Sequence, residues 1–168
     1  TYHRWFQKER EILLQKNIFF ENTDSLEIGW IPKMNSILES EILKKLDSTT
    51  LLGERLLKSN ETEIFAHRIV NNFVKALNFE PYFRESNGTV KHSDDFKIIK
   101  SKKDEQLPII GLLNSNLFYW YWRLHGDGFH CGFKDINRFP ISDKQIKDLI
   151  NTNYEKSVIN LIKDLTNN

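Results

Sequence analysis

The sequence predicts an α+β domain in which a mixed, mainly antiparallel sheet packs on a long aromatic-rich helix and short helices follow at the C-terminal end. Apolar residues recur at three- and four-residue steps from residue 109 to residue 124, which indicates a helix with one buried face. Short β-branched and aromatic runs separated by turn residues precede this helix. Because strands and helices do not alternate regularly, a wholly parallel sheet is not expected.

Length and composition favour one ordinary globular core. The chain has 168 residues, 39% of them hydrophobic, and no apolar run approaches the roughly 20 residues that cross a bilayer. No membrane partner is therefore expected. The single cysteine, Cys131, excludes an internal disulfide framework, so a reducing cytoplasm is the expected location. The chain begins at Thr1 without a methionine, which suggests a fragment of a longer protein.

The first part of the chain predicts a helix, a strand and a second helix. Tyr2 to Gln15 has amphipathic spacing, and Leu26 to Ile31 is an apolar run closed by Pro32. Ser36 is predicted to cap the next helix, with Glu39 as the acidic partner of a capping box. We expect one domain over residues 1–168: a helical connector over 1–25, a core over 26–141 and C-terminal helices over 142–168.

Strand signals dominate the middle of the chain. Glu63 to Phe79 is rich in β-branched and aromatic residues and is interrupted by Asn71-Asn72, which predicts two strands joined by a turn. Asn87-Gly88 is the strongest turn signal, and a strand is predicted from Phe96 to Lys100.

The aromatic-rich helix is predicted to begin after Asp104 as its cap, with Pro108 in the first turn, and to end near Gly126. A short strand is expected from Arg138 to Ile141, and two short amphipathic helices from Ser142 onward.

Five successive aromatic residues, 118–122, must point around this helix. If Leu117, Tyr121 and Leu124 face the core, Tyr119 and Trp122 lean to the opposite side, with Arg123 nearby. There they either line a groove or lie under neighbouring strands, and the pattern favours burial.

Familiar catalytic and metal motifs are weak or absent. Gly126-x-Gly128-x-x-x-Gly132 follows a helix and has its third glycine one position late for a dinucleotide fingerprint, so a turn with positive φ is the simpler interpretation. His125, His130 and Cys131 match no zinc framework. No phosphate loop, Gly-x-Ser-x-Gly or His-Glu-x-x-His is present, which disfavours a small stand-alone enzyme.

Basic and amide residues on predicted loops are the remaining candidates for a binding site. Arginine and asparagine read guanine and adenine edges, whereas lysines mostly contact phosphates. A solvated surface is the competing explanation, and the net charge of +1 argues against tight non-specific binding by the chain alone. The candidates are Arg68, Asn71, Asn72, Lys75, Lys91, His92, Lys134, Asn137 and Arg138.

The chain resembles the C-terminal target-recognition, or TaqI-like specificity, domain of adenine-N6 DNA methyltransferases in restriction-modification systems. The most specific pair of features is Leu112-Leu113-Asn114-Ser115-Asn116-Leu117-Phe118-Tyr119-Trp120, followed about 20 residues later by Phe139-Pro140-Ile141. Further similarities are Ile31-Pro32-Lys33, Ile64 to Arg68, Phe73 to Phe83 around Asn78-Phe79-Glu80-Pro81, Asp127-Gly128, and Asp135 to Arg138.

The resemblance implies a domain that reads double-stranded DNA, largely in the major groove, beside an upstream methyltransferase domain of the same polypeptide. The parent enzyme is expected to be a methyltransferase or a fused methyltransferase-endonuclease with S-adenosylmethionine as its cofactor, and no cofactor is expected in this chain. The base-flipping pocket needs an Asn-Pro-Pro-Tyr or similar motif. This chain has no adjacent prolines, so by itself it is not expected to methylate DNA.

On this basis, one group of residues is predicted to contact bases or phosphates, and a second group is predicted to contact the DNA backbone. The chain departs from the family pattern at Ile69-Val70-Asn71-Asn72-Phe73, as recognition residues are expected to do. A protein-interaction module that docks through Tyr119 and Trp122 remains the alternative. The residues predicted to contact bases or phosphates are Arg68, Asn71, Asn72, Lys75 and Arg138. The residues predicted to contact the DNA backbone are Lys91, His92 and Lys134.

Overall fold

The computed structural model describes residues 32–34, 36–46, 50–56, 58, 60–150 and 153–166. The chain divides into two compact units, Thr1–Asp47 and Ser48–Asn168, which are described separately. The helix predicted at Tyr2 to Gln15 and the strand predicted at Leu26 to Ile31 lie outside the described residues.

The described part of the first unit contains helix α1, Ile37–Lys45. Ser36 has an extended backbone, and its Oγ accepts a hydrogen bond from the amide of Glu39 at 3.3 Å. This is the N-cap that the sequence predicts, because the side-chain oxygen satisfies one of the amides that have no partner within the helix.

The second unit is an α+β structure, and both of its described sheets are antiparallel, as predicted. The elements, in chain order, are α2 (Leu52–Leu56), β1 (Thr62–His67), β2 (Ala76–Leu77), β3 (Tyr82–Arg84), β4 (Val90–His92), β5 (Phe96–Ser101), α3 (Gln106–Leu113), α4 (Asn116–His125), α5 (Phe133–Asn137), α6 (Asp143–Leu149) and α7 (Asn153–Thr166). The larger sheet has the order β2-β1-β5 with β1 in the centre.

The central strand β1 pairs with both neighbours. Phe65 lies opposite Leu77 of β2 and opposite Ile98 of β5. The two strands predicted between Glu63 and Phe79 are therefore present, but the second is only two residues long. An eight-residue loop, Arg68–Lys75, joins them, where the Asn71-Asn72 pair alone suggested a tighter turn.

The predicted turn at Asn87-Gly88 closes the β3–β4 hairpin. Gly88 has φ +84°, a conformation that favours glycine, and Asn87 Oδ1 accepts a hydrogen bond from the amide of Thr89 at 2.8 Å. All six side chains of β3 and β4 are exposed. The predicted strand after the hairpin is β5.

The expected single helix from Asp104 to His125 is wrong, because the segment forms two helices. Asp104 is not the cap; Glu105 occupies that position and its side chain makes no capping bond. Helix α3 ends before Asn114, and Ser115 begins α4 by accepting a hydrogen bond from the amide of Phe118 at 3.1 Å. Pro108 lies in the first turn of α3, as predicted.

Asn114 accounts for the break between α3 and α4. Its Oδ1 accepts from the amide of Ala76 at 3.2 Å, and its Nδ2 donates to the carbonyls of Ala76 and Ile110, both at 2.8 Å. The side chain thus pairs with the main chain of β2 and also caps α3. Periodicity cannot reveal this interaction, because the apolar spacing continues unchanged through the break.

The core of the second unit surrounds α3 and α4. Ile109, Ile110, Leu113, Phe118 and Trp122 are fully buried. Helix α7 packs on α3 so closely that a Cβ placed on Gly111 would lie 2.4 Å from Val158 Cγ2. Close helix packing of this kind requires a residue without a side chain at position 111.

The orientation of α4 differs in part from the prediction. Tyr121 and Leu124 are buried as expected, and burial of Trp122, the favoured interpretation, is confirmed at 0% exposure. Leu117, which was expected to face the core, is 39% exposed. Because Ser115 begins a separate helix, the periodicity of buried positions in α3 does not continue into the first turn of α4.

Arg138 to Ile141 does not form the predicted strand. Leu51 and Pro140 instead form an isolated bridge. The amide of Leu52 donates to the carbonyl of Phe139 at 2.8 Å, and the amide of Ile141 donates to the carbonyl of Thr50 at 3.0 Å. The pairing stops there because the amide of Phe139 donates to the carbonyl of Ile136 and the opposite segment turns at once into α2. The two predicted C-terminal helices are α6 and α7.

Within the described ranges, none of the helices combines the length and the apolar character needed to traverse a bilayer.

Candidate nucleic-acid interface

The loop between β1 and β2, Arg68–Lys75, contains four of the predicted contact residues, and we call it the recognition loop. Main-chain hydrogen bonds hold its base. The amide of His67 donates to the carbonyl of Lys75 at 2.8 Å, and the amide of Val70 donates to that of Phe129 at 2.9 Å. The amide of Cys131 donates to the carbonyl of Arg68 at 2.8 Å. The loop is therefore fixed against two neighbouring segments.

Side chains of the recognition loop divide between anchors and exposed groups. Val70 and Val74 are buried, whereas Asn71 and Asn72 between them are exposed. Lys75 is also exposed, with its Nζ 5.9 Å from the centre of the Phe73 ring. The apolar anchors fix the backbone, so the two amide side chains project from a defined position.

A turn over Asp127–His130 lies beside the recognition loop through the Ile69–His130 bridge. Asp127 Oδ1 accepts from the amides of Phe129 at 2.7 Å and His130 at 2.6 Å. These backbone bonds, with a smaller effect of the His130 side chain, lower the pKa of Asp127. Gly128 has φ +86°, as this turn requires.

Phe129 and His130 border the candidate site, although residue type and spacing did not predict them as DNA contacts. Both are exposed and both belong to the turn that borders the recognition loop. The sequence does contain one indication of this turn, because Asp127 lies two residues before Phe129, which is the spacing of an Asx turn. Nothing in the sequence indicates that this turn would pair with Ile69.

Arg68 is the first residue of the recognition loop, and it makes an ion pair with Asp95. Arg68 Nε lies 2.7 Å from Asp95 Oδ1, and the amide of Arg68 also donates to the carbonyl of Asp95 at 2.9 Å. The hydrogen bond from the guanidinium is the main cause of the lowered pKa of Asp95.

Lys91 and His92 lie in β4 and so belong to the hairpin rather than to the sheet that carries the recognition loop. Both are exposed, and each faces a carboxylate. Lys91 Nζ is 2.5 Å from Glu85 Oε1, and His92 Nδ1 is 3.3 Å from Glu80 Oε1. Contacts of these two residues with phosphate would have to compete with those carboxylates.

Lys134 and Arg138 lie in and after α5. Lys134 is exposed three residues beyond Cys131, which pairs with the recognition loop. Arg138 is half-buried at the C-terminal end of α5, and its carbonyl accepts a hydrogen bond from the hydroxyl of Tyr121 at 3.1 Å. Asn137 is half-buried and packs near Gly53, where an added Cβ would lie 2.6 Å from its own Cβ.

The three glycines of the unusual motif have different roles. Only Gly128 has positive φ; Gly126 has φ −69° and Gly132 has φ −94°, so the expectation of positive φ is wrong for these two. Gly126 is instead required by close packing, because an added Cβ would lie 2.5 Å from Trp122 Nε1.

His125, His130 and Cys131 do not converge on a metal site. In the described part of the chain, no three His, Cys, Asp or Glu side chains are placed to hold a metal ion. Burial, with smaller effects of Asp135 and Asp127, raises the pKa of the Cys131 thiol to about 12, so it is neutral at ordinary pH. Zinc binds the thiolate form.

A charged cleft of about 500 Å³ lies elsewhere in the second unit, between α2, α6 and the start of α3. At its centre Arg55 pairs with Glu105, at 2.5 Å, and with Asp143. Four basic and four acidic side chains line the cleft, so its charges balance. They are Arg55, Lys58, Lys102 and Lys147, and Glu54, Asp104, Glu105 and Asp143.

Asp135 stabilises the segment that follows the Asp127–His130 turn. Its Oδ2 accepts from the amide of Gly132 at 2.9 Å, and its Oδ1 lies 3.6 Å from His125 Nε2. Burial raises the pKa of Asp135, but the interaction with the nearby His125, the hydrogen bond from the amide of Gly132 and the charge of Arg138 outweigh it, so the pKa is lowered.

Replacement of Asp135 with Asn is expected to reduce the acid sensitivity of folding. Because the folded pKa lies below the unfolded value of about 3.9, the carboxylate stabilises the fold above that pH, and this contribution is lost as pH falls through the folded pKa. Asp135→Asn should cost about 1 kcal/mol at pH 7, as the loss of a hydrogen-bonded charged group does, and should flatten the stability curve as pH falls below the unfolded pKa. Urea unfolding from pH 7 to below the unfolded pKa measures both effects. Asp148→Asn, at an exposed position of α6, is the control; wild-type and Asp135→Asn curves that ran parallel would contradict the assignment.

Comparison with protein-family models, with curated proteins and with solved structures returned no match in any of the three.

Proposed function

We propose that this chain is the sequence-specific DNA recognition domain of an adenine-N6 DNA methyltransferase of a restriction-modification system, or of a fused methyltransferase-endonuclease. The observation that carries the proposal is the recognition loop, in which Arg68, Asn71, Asn72 and Lys75 are exposed on a backbone held at both ends. Catalysis and S-adenosylmethionine binding belong to a methyltransferase domain that partners this chain.

The residue types of the loop support base reading. Asparagine can donate to adenine N7 and accept from its N6 amino group, and arginine can donate to guanine O6 and N7. These contacts discriminate best when the side chains start from fixed positions. Buried Val70 and Val74 on either side of Asn71 and Asn72 supply that rigidity.

The motif behind the family resemblance also supports the proposal. Asn114, in its Leu-Leu-Asn-Ser-Asn-Leu-Phe segment, pairs with both main-chain groups of Ala76, the residue that follows the recognition loop. The scaffold helices are thereby linked to the end of the loop. A motif of this kind would keep the same loop position while the loop residues vary with the DNA sequence.

The charge distribution predicts modest affinity. Arg68, Lys91 and His92 each face a carboxylate, so these three predicted contact residues are expected to release fewer counterions of DNA than residues without a carboxylate partner would. Binding should therefore be measured at low salt, and the methyltransferase domain is expected to supply much of the phosphate contact.

A selection from a random duplex library at low salt tests the proposal. The wild-type chain should enrich one short motif, and the Asn71→Ala, Asn72→Ala double variant should lose preference at one or two positions. Each lost adenine contact corresponds to about 1–3 kcal/mol, or about 5- to 150-fold in relative affinity. Asn160→Ala, an exposed amide on α7, is the matched control. Absence of any enriched motif, or equal losses with the control, would refute DNA reading by the loop.

A protein-interaction module is the second candidate function. The β3–β4 hairpin favours it, because Tyr82, Phe83 and Val90 are exposed. The pair of Tyr119 and Trp122 predicted from the sequence does not favour it, since Trp122 is fully buried. A DNA interface weakens steeply with ionic strength, whereas an aromatic protein interface does not, so salt dependence separates the two functions.

A further inference from the structure

We propose that Arg68 reads a guanine in the target sequence and that Asp95 is the positioning residue that aims its guanidinium. The inference rests on the proposed function and adds to it the identity of one recognised base. Its basis is the geometry of the Arg68–Asp95 pair rather than the presence of an arginine in the loop.

The ion pair uses one edge of the guanidinium only. Arg68 Nε donates to Asp95 Oδ1 at 2.7 Å, which leaves the terminal Nη1 and Nη2 for another partner. The two side chains are 45% and 36% exposed, so this end is accessible to a duplex. Two parallel N–H donors match the O6 and N7 acceptors that guanine presents in the major groove.

Asp95 is itself fixed, which gives the guanidinium a defined orientation. The amide of Asp95 donates to Ser93 Oγ at 3.2 Å, and its carbonyl accepts from the amide of Arg68 at 2.9 Å. The amide of Phe96 donates to the carbonyl of Ser93 at 3.3 Å and closes the same turn. An arginine that is ordered before binding loses less conformational entropy when it contacts a base.

Charge favours a base over a phosphate as the partner of Arg68. The ion pair is neutral overall, and Asp94 is exposed next to it, so a phosphate would meet two carboxylates. Two basic residues also act on Asp95: Lys97, whose Nζ lies 3.4 Å from the carbonyl of Asp94, and His67. Guanine O6 and N7 are neutral acceptors, whereas adenine places its N6 donor where O6 lies in guanine.

The test compares Arg68→Lys and Asp95→Asn with wild type on the selected site and on versions of it with each guanine replaced by adenine. Arg68→Lys keeps the charge but loses the two-pronged donor, so preference for one guanine should fall about 5- to 150-fold with the salt dependence of binding unchanged. Asp95→Asn should lower the same preference while strengthening binding to random DNA, because it removes a negative charge. A purely structural role would not move these two affinities in opposite directions.

Two further variants keep the result interpretable. Asp148→Asn makes the same charge change on α6 and should leave the guanine preference intact. Asp95→Glu retains a carboxylate and should restore part of the preference. Circular dichroism confirms folding, and should Asp95→Asn fail to fold, Arg68→Lys and Asp95→Glu decide the question by themselves.

The outcomes separate this inference from the proposed function. If wild type enriches a motif but Arg68→Lys reads every position as before, the assignment of Arg68 is overturned and DNA recognition stands. If Arg68→Ala lowers the salt slope by about one unit, as loss of a phosphate contact does, base reading by Arg68 is also overturned. If wild type enriches no motif, both proposals fail.

Discussion

Replacement of Trp122 with alanine is expected to lower the free energy of unfolding by about 3–5 kcal/mol. Trp122 is 0% exposed, and its Nε1 donates to the carbonyl of His130 at 3.1 Å. The change therefore creates a large cavity and removes the hydrogen bond that ties α4 to the Asp127–His130 turn. Urea unfolding followed by circular dichroism measures the loss.

Trp120, a half-buried tryptophan on the same helix, provides the control. Trp120→Ala should cost clearly less than Trp122→Ala. Trp122→Phe retains most of the ring but loses the N–H donor, so it should fall between wild type and Trp122→Ala, at about 1–3 kcal/mol. Equal losses in the two alanine variants would contradict the packing described for α4.

The Asn114 side chain is expected to make a large polar contribution to stability. Asn114→Ala should cost about 2–3 kcal/mol, because it removes three hydrogen bonds and leaves the amide and carbonyl of Ala76 without this partner. Asn114→Asp should be at least as harmful near pH 7, since it places a carboxylate oxygen against the carbonyls of Ala76 and Ile110. Thermal or urea unfolding measures both.

Asn116→Ala is the matched control, because Asn116 is an exposed amide two residues away at the start of α4. It should change stability by less than about 0.5 kcal/mol. Amide hydrogen exchange adds a local readout: exchange at Ala76 should accelerate in Asn114→Ala and not in Asn116→Ala. Unchanged exchange at Ala76 would show that the side-chain pairing is not needed to hold β2.

Features that depend on a few neighbouring residues could be predicted from the sequence. The Ser36 cap, the Asn87-Gly88 turn and the two C-terminal helices all follow from local chemistry. The class of fold followed from the order of strand and helix signals. Burial of Trp122 was favoured because five successive aromatic residues cannot all be solvated.

Features that depend on distant partners could not be predicted. The break at Asn114 requires knowledge of Ala76, 38 residues earlier, and the short bridge at Pro140 requires Leu51. Similarly, the recognition loop was identified by residue type, but its contact with Phe129 and His130 and the pairing of Arg68 with Asp95 arise only from tertiary structure. The sequence therefore supplied candidates, and the fold determines which of them are neighbours.

The pairing of Asn114 with Ala76 also bears on self-association. Strand β2 forms one edge of the three-stranded sheet, and such an edge normally offers free amides and carbonyls to a strand of another molecule. Ala76 pairs with Ala66 of β1 on one side and gives its amide and carbonyl to the Asn114 side chain on the other. One carboxamide thus occupies the position that an intruding strand would take, and protects this two-residue edge from intermolecular sheet growth.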